Sequence, residues 1–215
     1  MYFITDELYF PTAEQAEADG LIAIGGDLSP ERLLLAYGSG IFPWEDDPVC
    51  WYTPDPRFVL FPEDLRITKS MQSVLRSGKF RFTINKAFEQ VMVACSTVPR
   101  NGQNGTWISK GMIDAYSQLH QQGYAYSAEA WNSGELVGGL YGIKLGNIFF
   151  GESMFSKQSN ASKFAFIKLI QYLQKQGLKL VDCQVHTDHL ASLGARMISR
   201  KDFLEIVKRE TSSTR

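Results

Sequence analysis

The chain is poor in the features that mark several large function classes. Cysteine is scarce: Cys50, Cys95 and Cys183 are widely spaced and form no CxxC pair. That argues against a disulfide framework or a cysteine-rich zinc module and leads us to expect reduced thiols in a cytoplasmic protein. No apolar run approaches the length of a membrane span, and the first twenty residues are acidic, without the basic stretch that opens a secretion signal. A soluble protein with no membrane partner is therefore expected. An excess of either charge is also missing, since 22 Lys and Arg against 23 Asp and Glu leave a net charge of −1. This argues against binding of nucleic acid by bulk charge and leaves a local basic patch open. There is no repeat of fixed period and no low-complexity segment beyond the polar tail "TSSTR".

What is present is a globular composition. A length of 215 residues with 44% hydrophobic residues suits one large domain, or a medium domain with a small companion. Residues 1–58 are rich in Gly, Pro and aromatics and predict a small, irregular N-terminal domain packed by Phe42, Trp44, Trp51 and Tyr52. Within it, Ser29 as N-cap and Pro30 at the first helical position open one short helix, "ERLLLAYGSG". Residues 59–215 carry regular elements. Helical spacing appears in "TKSMQSVLRSG", capped by Thr68, in "KAFEQVMVACS", and in "SKGMIDAYSQLHQQG", capped by Ser109. "KFRFTIN" alternates as a strand. "YAYSAEAWNSGELVGGLYGIKLGNIFFGESMFS" predicts three antiparallel strands with turns at "NSGE" and "KLGN". A helix "SNASKFAFIKLIQYLQKQG", a strand "LKLVDCQV" and a last helical stretch over "DHLASLGARMISRKDFLEIVKRE" complete the order. This is an α+β arrangement around one mixed, mostly antiparallel sheet, the order of a GNAT-like acyltransferase domain.

Three groups of residues invite chemistry. Glu152 is a carboxylate among Ile148, Phe149, Phe150, Met154 and Phe155. A buried charge there must neutralise, meet a cation such as Lys157 or Lys163, or line a cavity. In the strand "LKLVDCQV", alternation puts Asp182 and Gln184 on one face and Val181, Cys183 and Val185 on the other, apolar one. By itself that pair could equally cap the next helix or sit at a solvated edge. Lys69 and Arg76 lie seven apart on one helix face, with Lys79 and Arg81 following, which suits phosphate contacts and equally an ordinary solvated face. A metal site is not expected. Cys183, His186, Asp188 and His189 crowd into "DCQVHTDH", but Cys183 points into the core side and no second cluster exists to close a tetrahedral set.

Seven stretches, "GLIAIGGDLSPERLLLAYGSGIFPW", "WYTPDPRFVL", "GTWIS", "ELVGGLYGI", "FFGESMFS", "NASK" and "DCQVHTDHLASLGA", together resemble the bacterial leucyl/phenylalanyl-tRNA–protein transferases, in family order from about Pro11 to about Leu204. The resemblance implies an enzyme that moves leucine or phenylalanine, with methionine a third candidate, from charged tRNA to the N-terminal Arg or Lys of a protein, marking it for degradation by the N-end rule. Its partners would be leucyl-tRNA, phenylalanyl-tRNA and those acceptor proteins, with no cofactor beyond the aminoacyl-tRNA.

By the same resemblance, Asp182 and Gln184 carry the reaction and Glu152 receives the acceptor's cationic side chain. Glutamine is no base at neutral pH, so it would orient the amine while Asp182 polarises it or takes its proton, a part for which the tRNA's own ribose hydroxyl competes. Leu140, Phe149 and Val181 match the aminoacyl pocket. Leu140 stands where the family would be expected to carry methionine, and Val181 lies on the face read as core. Trp107 matches the residue that stacks on the terminal adenosine, with Trp44 and Tyr37 nearby, although Trp44 and Trp51 would serve as well in simple packing. Lys69, Arg76, Lys79 and Arg81 would meet the tRNA backbone. An acetyl-CoA-dependent acyltransferase of the same fold is disfavoured because "KQSNASK" carries Ala161 and Lys163 where a pyrophosphate loop requires glycine.

Overall fold

The computed structural model describes residues 2–97 and 108–212. The first region is more regular than its composition suggests. Strands β1 (Tyr2–Ile4) and β2 (Leu21–Gly25), helix α1 (Pro30–Gly38) and strands β3 (Phe42–Asp46) and β4 (Val49–Tyr52) build a four-stranded sheet in the order β1-β2-β4-β3. Its strands are three to five residues long and broken by Gly and Pro, so no alternation of useful length marks them. Helix α1 begins as its cap dictates, with the Ser29 hydroxyl accepting from the Arg32 amide and Pro30 at the first position.

The main sheet has seven strands in the order β11-β5-β10-β9-β8-β7-β6. Strand β5 (Arg57–Leu60) enters it directly after the first sheet. Then follow α2 (Lys69–Arg76), β6 (Arg81–Ile84), α3 (Phe88–Ser96) and α4 (Lys110–Gln121). The expected meander is β7 (Ala125–Asn132), β8 (Glu135–Leu145) and β9 (Ile148–Ser156). Helix α5 (Ala161–Gln174) crosses over to β10 (Leu180–Gln184), which pairs parallel with β9, while the other pairings in this sheet are antiparallel.

The last stretch departs from the single helical pattern. It divides into α6 (Asp188–Ala191), β11 (Arg196–Ile198) and α7 (Arg200–Thr211). Gly194 is the reason, because it turns at φ +105° and an added Cβ would sit 2.2 Å from the Asp64 carbonyl oxygen. After it the chain lies along the edge of β5, and Ser199 then caps α7 by accepting from the Asp202 amide.

The two faces of the sheet are covered differently. One buried cluster joins Ile22, Leu33, Tyr37 and Trp51 of the first region to Val91, Tyr116, Ile143, Phe150 and Phe203, so the small sheet and α1 pack onto the main sheet together with α3, α4 and α7. The other face is covered by α5, whose Phe164, Ile167 and Ile170 pack with Leu140, Phe149 and Val181. Helix and sheet approach closely at Gly138, where an added Cβ would fall 2.5 Å from the Ala161 Cβ and 2.8 Å from its carbonyl carbon. We expect Gly138→Ala to force α5 outward at a cost of about 1–3 kcal/mol, read as a lower urea midpoint with the m-value unchanged.

Candidate active site

The parallel pairing of β9 and β10 lasts three residues, Ile148–Phe150 against Leu180–Asp182, although β9 continues to Ser156. Each strand bulges where the pairing ends. In β9, Gly151 opposes Gly142 and Ser153 opposes Tyr141, which leaves Glu152 as the extra residue. In β10, Asp182 opposes Val59 and Gln184 opposes Phe58, which leaves Cys183 extra, and Gln184 adopts φ +63°. Bulges bend a strand and re-aim its side chains. Two of them side by side part the strands, and a cavity of about 780 Å³ opens between. Leu140, Met154, Phe166 and Val181 supply apolar wall, and Glu152 and Gln184 supply polar groups.

Glu152 is held from three elements. Tyr37 of α1 donates its phenol to Oε1 at 2.8 Å, the Gln184 amide nitrogen of β10 donates to the same oxygen at 3.0 Å, and Tyr116 of α4 donates to Oε2 at 3.1 Å. The two phenol oxygens are also 2.5 Å apart. Among the described residues no Lys or Arg makes an ion pair with Glu152, so the pairing with Lys157 or Lys163 weighed from the sequence is not made. Burial pushes its carboxyl up to about 7, against the opposing hydrogen bonds from Tyr37, Tyr116 and Gln184 and with a further push from the Asp182 charge. Burial, followed by the Glu152 charge, holds both phenols well above their ordinary range.

The bulge interrupts the alternation expected of Asp182 and Gln184: they oppose adjacent residues of β5, Val59 and Phe58, and Asp182 is enclosed whereas Gln184 lines the cavity. The Asp182 side chain has no exposed surface. Arg57 grips both its oxygens, Nε to Oδ1 at 2.9 Å and Nη2 to Oδ2 at 2.7 Å, and the Gln184 backbone amide donates to Oδ1 at 2.9 Å. The guanidinium lies between the rings of Phe42 and Phe203, 4.7 and 4.4 Å from their centroids. Both oxygens of Asp182 thus accept from Arg57, and Oδ1 also from the Gln184 amide, so the carboxylate is anchored where it borders the cavity. Arg57 and Tyr116 were missed by sequence reasoning. Arg57 does carry the signal that marked Glu152, a charge set against the apolar strand "RFVL". Tyr116 shares a helix face with Met112, Ala115 and Leu119 and reads as plain core.

The remaining expected residues fall into distinct places. Leu140 and Val181 line the cavity, which extends to the α5 side of the sheet because the strands have parted. Phe149 does not line it and packs in the core beneath α5. Tyr37 cannot offer a face to a base, because it is 0% exposed with its ring against Phe150 at 5.2 Å; its phenol serves Glu152 instead. Trp44 is half-buried at the rim, 6.0 Å from the Phe42 ring and 5.4 Å from Tyr52. Trp51 is fully buried and donates its indole N–H to the Gly25 carbonyl. Trp107 lies outside the described residues. Lys69, Arg76, Lys79 and Arg81 are all exposed, along α2 and into β6. Among the described residues no group of three or more His, Cys, Asp or Glu is placed to hold a metal.

The buried ion pair makes a testable statement. Arg57→Met, which leaves Asp182 uncompensated, should cost about 3–5 kcal/mol in chemical denaturation, and adding Asp182→Leu should recover most of that stability. Because Gln184 loses its anchor in both variants, activity should stay low in the double variant even where stability returns.

Comparison with known proteins bears on the whole chain. The family profile described as leucyl/phenylalanyl-tRNA protein transferase matches residues 59–208, and that of the family's N-terminal domain matches residues 26–55. Leucyl/phenylalanyl-tRNA–protein transferases of Flavobacterium johnsoniae, Christiangramia forsetii and Syntrophobacter fumaroxidans are 56%, 55% and 53% identical, over 97%, 96% and 96% of this chain and 99%, 100% and 89% of their own lengths. A GCN5-related N-acetyltransferase-like protein from Streptococcus suis aligns with 76% of the chain and 61% of its own, at a TM-score of 0.39 and 13% identity. With its two family profiles in order and this identity over nearly its full length, the chain belongs to the leucyl/phenylalanyl-tRNA–protein transferase family.

Proposed function

We propose that the cavity joins leucine or phenylalanine, delivered as the ester on its tRNA, to the α-amino group of a protein that begins with Arg or Lys. The observation that carries this reading is Glu152, a carboxylate in an apolar cavity with hydrogen-bond donors around it and no ion-paired cation among the described residues. An acceptor's basic side chain would supply the missing charge. Leu140, Met154, Phe166 and Val181 form a wall against which a leucine or phenylalanine side chain would pack. A hydrophobic wall separates side chains differing by one methylene or branch by only about 1–3 kcal/mol, which suits a site that takes two apolar residues.

The chemistry asks little of the protein. The donor ester is already activated, so no nucleotide cofactor is needed, and α-amines with pKa values of about 7.7–8.0 are roughly one-tenth neutral at pH 7. The work left is to hold the amine about 3–3.5 Å from the ester carbonyl. Gln184 would do this: its amide nitrogen is engaged by Glu152, which leaves its carbonyl oxygen to accept from the acceptor's α-amino group. Asp182 acts through Gln184 by fixing its backbone. The amine attacks the ester carbon and the tRNA ribose oxygen leaves. The proton lost by the amine passes to that oxygen or to water. Trp44 at the rim, with Trp107, would stack on the terminal adenosine, and the exposed strip of Lys69, Arg76, Lys79 and Arg81 would meet tRNA phosphates. Such a reaction belongs to the cytoplasm, where charged tRNA is found.

Two measurements test this. Purified protein should transfer labelled leucine from leucyl-tRNA to peptides beginning with Arg or Lys and not to one beginning with Ala. Glu152→Gln should lower kcat/KM for the basic acceptors by about ten- to a hundredfold, the worth of one charge-assisted hydrogen bond, without changing Kd for the charged tRNA. Labelling from acetyl-CoA in place of tRNA would overturn the assignment. In the second, the double charge reversal Arg76→Glu with Lys79→Glu should raise KM for tRNA and flatten its dependence on salt; an unchanged salt slope removes the strip from the interface.

A further inference from the structure

Three oxygen-bearing groups meet at the floor of the cavity, and their contacts can be counted against their protons. Tyr37 touches Glu152, Tyr116 touches Glu152, and Tyr37 touches Tyr116, at 2.8, 3.1 and 2.5 Å. Each contact needs one proton, and the two phenols bring two. If Glu152 is ionised, one of the three contacts sets lone pair against lone pair. A proton on the carboxyl removes that conflict. Oε1 already accepts from Tyr37 and Gln184, whereas Oε2 has Tyr116 as its one partner among the described residues, so the proton belongs on Oε2. In that form the Tyr116 contact reverses its direction and the bonds run in a closed ring: Oε2–H to the Tyr116 oxygen, Tyr116 to Tyr37, and Tyr37 back to Oε1. We propose that the empty site holds Glu152 in its neutral form within this ring, and that the cationic side chain of the acceptor displaces the carboxyl proton to solvent as it binds. This rests on the reading of Glu152 as the acceptor site.

The surrounding charges agree. The groups that face Glu152 are Tyr37 from α1, Tyr116 from α4, and Asp182 and Gln184 from β10, with Arg57 of β5 bound to Asp182. His186 and His189 also line the cavity, and burial, with Lys163 nearby, lowers the tendency of His189 to carry charge. Nothing in this set supplies an ion-paired cation to Glu152, and burial, helped by the Asp182 charge, outweighs the hydrogen bonds from Tyr37, Tyr116 and Gln184 and lifts its carboxyl to about 7. The only covalent bond that breaks is the carboxyl O–H: its proton passes to solvent water, and the carboxylate and the cationic acceptor become an ion pair. The ring would keep an uncompensated negative charge out of an apolar cavity until the acceptor arrives. It also makes recognition of basic residues depend on pH, since each unit below about 7 lowers the ionised fraction, and with it the apparent affinity, about tenfold.

The test uses an arginine derivative acetylated on its α-amine, so that the side chain is the group that binds and the amine does not titrate. Infrared difference spectra of the acceptor-free protein at pH 6 should show a protonated carboxyl band that is absent in Glu152→Gln and that disappears when the arginine derivative is added. Calorimetry in two buffers of different ionisation enthalpy should find close to one proton released per molecule bound at pH 6 and few at pH 8.5. Absence of the band at pH 6, or its persistence in the complex, overturns the proposal whatever the acceptor assay shows. If instead Glu152→Gln binds the arginine derivative as tightly as the native protein, the acceptor reading fails, and the band still reports separately whether the ring is protonated.

Discussion

The site depends on a parallel strand pair that stops after three residues. Had β9 and β10 stayed zipped to Ser156, the main sheet would be continuous and there would be no space beside Glu152. The parting is built in twice, by the extra Glu152 in β9 and the extra Cys183 in β10, and it is kept open by the buried Arg57–Asp182 pair, which holds the backbone of Gln184 in a left-handed turn. A buried ion pair is a weak source of stability when compared with an apolar replacement. Here its geometric consequence matters more, because it sets the direction in which the Gln184 side chain leaves the strand.

A second constraint follows from the first. A bulge that turns a carboxylate into an apolar cavity exposes the fold to the cost of an unpaired charge. The protein meets that cost from three directions, with phenols from α1 and α4 and an amide from β10. The small N-terminal region is thereby more than a companion: through Tyr37 it completes the floor of the site, and through Phe42 it covers one side of Arg57. Its apolar residues and those of the main sheet form one continuous cluster.

Much of the secondary structure was legible because its causes are local. Ser29, Thr68 and Ser109 each accept from a backbone amide three residues on, and the turns at "NSGE" and "KLGN" separate the three strands of the meander. The short strands of the first sheet were not legible, since three to five residues leave no period to read. Nor was the break at Gly194, where a helical pattern in "DHLASLGARMISRKDF" is overridden by the close approach of the Asp64 carbonyl. A backbone contact with a residue far away in the chain leaves no mark on local periodicity.

By itself the sequence determined the α+β order, the absence of charge excess, the family, and the anomaly of Glu152 among aromatics. Only the tertiary structure decided what surrounds that carboxylate. It closed Asp182 behind Arg57, turned Tyr37 from an expected stacking surface into a donor, and brought Tyr116 to it from 79 residues away. Alternation and spacing report which way a side chain leaves its own strand or helix, whereas the protonation and partners of a buried group depend on which distant elements pack against it.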